Sequence, residues 1–206
     1  DADVMNRPLI IGLTGSIGMG KSAVAAMFEA QGVPVFDADA EVRRMQGPGG
    51  ALLGAIEAAF PGSTGPEGVD RDALGKHVFG NPEELGRLEA IMHPAVAERR
   101  AEFLAANADA PLVVFDIPLL FEKGGEDMVD VVIVVSAPHH VQRERVLARP
   151  AMTAHKFEKI LDLQTPDHHK RARADHVIHT GVPIAETEAE VAALVERLMT
   201  ESQSRS

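Results

Sequence analysis

The chain has 206 residues and a mass of 22.0 kDa, the size of one domain with room for an inserted subdomain. Its ordinary balance of apolar and charged residues excludes a disordered chain, a collagen and a coiled-coil rod, and the absence of cysteine excludes a disulfide scaffold, a thiolate zinc or iron–sulfur site and a cysteine nucleophile. With 31 acidic against 20 basic residues the net charge is −11, which counts against a general nucleic-acid binder. No run approaches the roughly 20 apolar residues of a membrane span, and no signal-peptide pattern is present. The expectation is a cytoplasmic protein with small-molecule partners.

Asp1–Val4 precede Met5 and stay outside the fold reading. Leu9–Leu13 is an apolar run that stops at a glycine-rich turn and reads as a buried strand. Lys21–Gln31 follows with Val24, Met27 and Phe28 at helical spacing and Gly32 just behind as a C-cap. Val33–Phe36 reads as a second strand and Glu41–Met45 as helical. Residues 46–68, rich in Gly and Pro, hold one helix near Ala51–Ala59 and no strong strand pattern. Asp70-Arg71-Asp72 opens a helical stretch through Phe79. Asn81-Pro82-Glu83-Glu84 starts another, running through Leu85, Leu88 and Ile91 and resuming after Pro94 to about Ala106. Leu112–Asp116 is a strand with an acid at its end, and Val129–Val135 is the most β-branched run of the chain. Pro138–Leu147 and Thr153–Leu163 read as helices, Val177–His179 as a last strand, and Ile184–Leu198 as a closing amphipathic helix. Strands alternating with helices imply an α/β fold with a parallel sheet covered on both faces.

Gly15-Ser16-Ile17-Gly18-Met19-Gly20-Lys21-Ser22 fits G-x-x-x-x-G-K-[ST] in full, with an apolar strand before it and a helical pattern after it. The chemistry needs these residue types. Glycines let backbone N–H groups reach phosphate oxygens, and the helix N-terminus adds its positive end. Lys21 would reach the β- and γ-phosphates, and the Ser22 hydroxyl would ligate Mg²⁺. The alternative is a glycine-rich turn that only connects strand to helix; strand, loop, Lys-Ser and helix in register weigh against it. The motif implies a nucleoside triphosphate and Mg²⁺ without naming the acceptor.

A guanine-reading Asn-Lys-x-Asp is not found, and Asp116 ends its strand without the second acid of many ATPase motors. Asp37-Ala38-Asp39 ends the second strand, where ligands of an open α/β sheet bind. A carboxylate there can accept the proton of an attacking hydroxyl or hold Mg²⁺ through water. It can equally be a solvated turn or a cap, with Asp39 placed to cap the next helix. Arg145 and Arg149, four apart on a helix, share a face and could grip phosphate oxygens from a closing lid, or lie on a solvated face.

Further matches follow in order: Gly32-Val33-Pro34-Val35-Phe36-Asp37-Ala38-Asp39 with Arg43, Asp70-Arg71 with Leu74, Val78 and Phe79, and Leu88 to His93-Pro94. Asp116-Ile117-Pro118-Leu119-Leu120-Phe121-Glu122, then Gln142 with Arg145 and Arg149, Gln164, and Ala174-Asp175-His176-Val177-Ile178 complete them. In these motifs, from about residue 9 to 181, the chain resembles the dephospho-CoA kinase family. The resemblance implies a P-loop NTPase-type parallel sheet with helices on both faces. It also implies ATP-dependent phosphorylation of the ribose 3′-hydroxyl of dephospho-CoA, the last step of coenzyme A synthesis.

It implies a single domain over 7–199, with a core of about 7–66, 108–138 and 171–199. A helical CoA-binding insertion would occupy about 67–107 and a lid about 139–170, with 1–6 and 200–206 flexible. By the same resemblance Asp39, Lys21 and Arg149 are catalytic, and residues 15–22 with Arg145 and Arg149 bind ATP. Asp37, Asp39, Arg43, His93, Leu119 and Phe121 contact the acceptor, and Ser22 holds Mg²⁺. Ser16 and Met19 replace a common Gly and Ser of the family loop, Pro150 a common Asp, and His179-Thr180 an Asp-Asn pair.

His93 before Pro94 could meet substrate or satisfy a kink. Glu122 reads as a loop anchor, and the pairs His139-His140 and His168-His169 as poor metal sites, because neighbouring histidines on a helix diverge. The competing functions are a P-loop kinase for another small hydroxyl acceptor, such as a nucleoside monophosphate or a sugar acid, and a nucleotide-binding regulator without turnover.

Overall fold

The computed structural model describes residues 7–205, and the chain divides into two compact units, one of residues up to Phe36 together with 107 onward, the other of Asp37–Ala106. The first unit is built on a parallel sheet of β1 (Leu9–Thr14), β2 (Val35–Asp37), β5 (Leu112–Asp116), β6 (Val131–Ser136) and β7 (His176–His179), in the order β2-β5-β1-β6-β7. In β1 and β6 alternate side chains face opposite ways, as the strand period requires. Ile11, Leu13, Ile133 and Val135 pack with Val24 and Phe28 of α1 (Lys21–Ala30) and with Val191, Leu194 and Leu198 of α9 (Ile184–Ser204). Val132 and Val134 pack on the other face with Leu120 and Phe121. Both faces are therefore dry, which explains why these strands read as unbroken apolar runs.

Three further helices belong to this unit: α6 (His139–Leu147), α7 (Ala154–Leu163), capped by the Thr153 hydroxyl on Lys156 N, and α8 (Asp167–Arg173). The sequence reading missed α8, whose Asp-His-His-Lys-Arg-Ala-Arg run shows no apolar stripe. A 3₁₀ turn at Gly125–Met128 delays β6 to Val131 rather than Val129. The closing helix runs on to Ser204, which corrects the flexible tail expected from 200. The Ser202 hydroxyl donates to Pro111 O at 3.0 Å, and those of Thr200 and Ser204 donate back along the helix. The expectation for 1–6, and for Ser206, lies outside the described residues. At the amino edge of the sheet Asp130 receives both Arg7 Nη1 and Nη2 at 2.9 and 2.8 Å and the Ile10 amide at 2.8 Å.

The second unit contains α2 (Ala38–Gln46), α3 (Leu53–Ala59), a short hairpin of β3 (Thr64–Gly65) and β4 (Gly68–Val69), α4 (Arg71–Val78) and α5 (Pro82–Ala106). Its core is Met45, Leu52, Ile56, Phe60, Leu74 and Leu88. Because α2 and α3 share that core with α4 and α5, the unit begins at Asp37 and not near 67. The hairpin, too short to leave a pattern, was not anticipated. α5 continues through Pro94 without the expected break. Ala90, whose carbonyl loses its i+4 partner, is exposed, as are His93 and Pro94, so water can satisfy that carbonyl. No helix among the described residues is long and apolar enough to cross a membrane.

Candidate active site

β1 ends at Thr14, whose buried hydroxyl donates to Pro118 O at 3.2 Å, and the glycine-rich loop begins there. A Cβ on Gly15 would stand 2.8 Å from Val135 O, so the loop can pass over β6 only as glycine. Gly18 and Gly20 hold φ of +75° and +90°, the left-handed region open to glycine, and Gly20 hands the chain to α1. Lys21 and Ser22 thus open α1, Ser22 exposed at its positive end.

The β1–β5 register sets Leu13 opposite Asp116, so the acid closing β5 stands beside the loop. The Lys21 ammonium donates to Asp116 Oδ1, and both side chains are largely buried. Sequence reasoning noted Asp116 as a strand-end acid and assigned it no role; its place beside the loop lysine is the signal it lacked. Residues 15–22 therefore come together as expected, with a cradle that a Cβ would fill and a cation at its head. These fit a nucleoside triphosphate with Mg²⁺ on the Ser22 hydroxyl.

Arg145 lies on α6 against this loop. Its Nη1 donates to Gly18 O at 3.3 Å and to Thr180 Oγ1 at 2.9 Å, and its Nη2 to Thr180 O at 2.6 Å. Its guanidinium is thus spent on protein acceptors. Arg149, past the end of α6, is exposed and carries no side-chain hydrogen bond or ion pair among the described residues. Beside the loop a cavity of about 690 Å³ is lined by Ser16, Met19, Ser136, His139, Gln142 and Asp167, among others. Leu119 is half-buried in the turn after β5. Phe121 is 7% exposed, packed with Leu120 and Val134 under the Arg173 guanidinium at 4.5 Å, so its ring is core rather than a substrate face. Glu122 acts as the expected anchor: its Oε2 accepts from Thr165 N at 2.9 Å and lies 3.1 Å from Lys170 Nζ. The rings of His168 and His169 do not diverge but meet edge to face at 4.2 Å.

In the second unit Asp37, not Asp39, caps α2, accepting from Ala40 N at 3.0 Å. Asp39 sits in the first turn of that helix, exposed, with no side-chain hydrogen bond among the described residues. It lines a groove with Arg43, Gln46, Arg71 and Val78. His93 is exposed on α5 and is not part of that groove.

A parallel sheet with a glycine-rich loop between its central strand and α1, and a lysine at the head of that helix, defines a P-loop nucleotide-binding protein. The dephospho-CoA kinase family profile matches residues 9–186. A dephospho-CoA kinase of Novosphingobium aromaticivorans is 65% identical over 191 residues, 93% of this chain and 95% of its own. The crystal structure of TT1252 from Thermus thermophilus superimposes with a TM-score of 0.79 at 36% identity, covering 93% of this chain and 98% of that one. That of the dephospho-CoA kinase from Campylobacter jejuni shares the fold, with a TM-score of 0.63 at 23% identity over 92% and 96%. The chain belongs to the dephospho-CoA kinase family.

Proposed function

We propose that the protein transfers the γ-phosphoryl group of ATP to the 3′-hydroxyl of the ribose of dephospho-CoA, giving coenzyme A and ADP. Family membership names the acceptor, and the observation that carries the chemistry is the loop of residues 15–22 with Lys21 beside Asp116. The loop amides and the α1 N-terminus bind the phosphate chain. Lys21 leaves Asp116 for the β- and γ-phosphate oxygens, where its charge offsets that developing in transfer. The Ser22 hydroxyl would hold Mg²⁺, which would supply charge neutralisation to the phosphate chain.

Asp39 has a carboxylate uncommitted to any cap, and it orients the 3′-hydroxyl and takes its proton late. Asp37 sets the geometry of that turn as the α2 cap. Arg43, His93 and Leu119 contact the acceptor, with the second unit as its binding module. Residues 139–170 act as a lid, anchored on the loop through Gln142 and Arg145, that brings Arg149 to the phosphates and excludes water, which otherwise competes as acceptor. With ATP and a nucleotide thiol as substrates, the reaction is placed in the cytoplasm.

The test is ADP release from Mg-ATP with and without dephospho-CoA, followed by mass spectrometry of the product. Acceptor-dependent ADP and a product heavier by one phosphoryl group on the 3′-oxygen are expected. ATP binding with no stimulation by dephospho-CoA would remove the acceptor assignment.

A further inference from the structure

Every carbonyl from Ser16 to Gly20 has a donor. Ser16 O accepts from Met19 N at 3.2 Å, and Gly20 O from Val24 N at 3.2 Å, inside the turn and the helix. The three between them are held from outside by side chains. Ile17 O accepts from Gln142 Nε2 at 2.8 Å, Gly18 O from Arg145 Nη1 at 3.3 Å, and Met19 O from the Thr180 hydroxyl. Gln142 is buried, and its Oε1 faces His139 Nδ1 at 3.3 Å. The same Thr180 hydroxyl accepts from Arg145, and Thr180 N donates to Ser136 O at 2.9 Å, so the donor is itself fixed to the sheet.

A planar trans peptide points its C=O and the following N–H in opposite directions. Holding the carbonyls of Ile17 and Met19 toward α6 and the turn after β7 aims the amides of Gly18 and Gly20 the other way. Those two amides carry no hydrogen bond among the described residues. An anion-binding loop needs its amides convergent before the anion arrives, since reorienting peptides on binding subtracts from affinity. We infer that Gln142 and Thr180, together with Arg145, are positioning residues that preset the loop amides for phosphate by clamping the carbonyls behind them. Arg145 thereby serves the loop's shape rather than gripping phosphate itself.

The inference rests on the loop as the ATP site, and binding is therefore measured apart from turnover. Thr180→Val keeps the shape and removes the hydroxyl; Thr180→Ser keeps the hydroxyl; Gln142→Met removes the other neutral donor. Two quantities are read: calorimetric affinity for a non-hydrolysable ATP analogue with Mg²⁺, and residue-resolved amide exchange of 17–20 in the unliganded protein. Thr180→Val is expected to weaken the analogue about tenfold and to speed loop exchange, with Thr180→Ser within about twofold of the parent. Unchanged affinity and exchange in Thr180→Val overturns the inference. So does a Thr180→Ser variant as weak as Thr180→Val, because keeping the hydroxyl would then not preserve the loop. If Thr180→Val does not fold, Gln142→Met is judged by the same two readings. A parent protein that binds the analogue without phosphorylating dephospho-CoA speaks against the acceptor, and the comparison of variants still decides the clamp.

Discussion

The Lys170 ammonium, wholly buried on α8, lies 3.1 Å from Glu122 Oε2, off the angle of a good hydrogen bond. Burial pushes the Glu122 carboxyl up, but the amides of Thr165 and of Glu122 itself and the Lys170 charge together hold it below its ordinary value. The pair ties the turn after β5 to α8 and to the linker before it. Removing one partner leaves an uncompensated buried charge, so Lys170→Met is expected to lose about 3 kcal/mol in urea denaturation. The double variant Glu122→Gln with Lys170→Met should recover most of that loss. A double variant no more stable than the single one would show that the pair is not what sustains this corner.

Lys21→Ala should leave the far-ultraviolet spectrum unchanged and lower kcat by about 10²–10³, since only a charge opposite the transferring group is removed. Asp116 would lose the Lys21 ammonium at the same time, so the thermal midpoint is measured alongside. A rate near the parent's in a steady-state assay would remove the loop from the chemistry.

Asp39→Asn should lower kcat by about 10²–10⁴ with the affinity for ATP intact. A loss under about threefold would exclude Asp39 as the proton acceptor. Asp37→Asn should behave differently, because an asparagine still caps α2; its main cost should be in the acceptor KM rather than in kcat.

Asp130 supplies a pH dependence whose sign follows from its partners. Burial raises its pKa, while Arg7, the Ile10 amide and Arg205 outweigh burial and hold it below its ordinary 3.8. The folded state therefore binds this proton less readily than the unfolded one. The stabilisation is complete above about pH 4 and fades as pH falls through the lower folded value. Urea midpoints between pH 6 and 3 should show an acid limb that is shallower in Asp130→Asn; identical limbs would place the acid sensitivity elsewhere.

The strand–loop–helix of residues 9–30 was legible because three signals coincide there: an apolar run, glycines at fixed offsets and a helical period ending at Gly32. β5 was readable to the residue for the same reason of dry faces on both sides. α8 was not, since its buried residue is a lysine, and a single buried cation leaves no periodic trace. The break expected at Pro94 failed because local propensity takes no account of which side of a helix faces water. The loop and Asp37–Asp39 were each visible as motifs, but which of the two acids caps α2 depends on one hydrogen bond. The spending of Arg145 on carbonyls depends on long-range contacts between α6, the loop and the turn after β7.

Met19 stands at a position the nucleotide motif leaves free, yet its side chain is 2% exposed and its sulfur accepts the Ala137 amide at 3.1 Å. The loop is thus riveted to the end of β6 by one of its own variable residues. Met19→Ser would open a void beneath the loop and strand the Ala137 amide. A position that the motif leaves open to any residue is thus closed by packing, and that change would weaken the protein by roughly 2 kcal/mol or more.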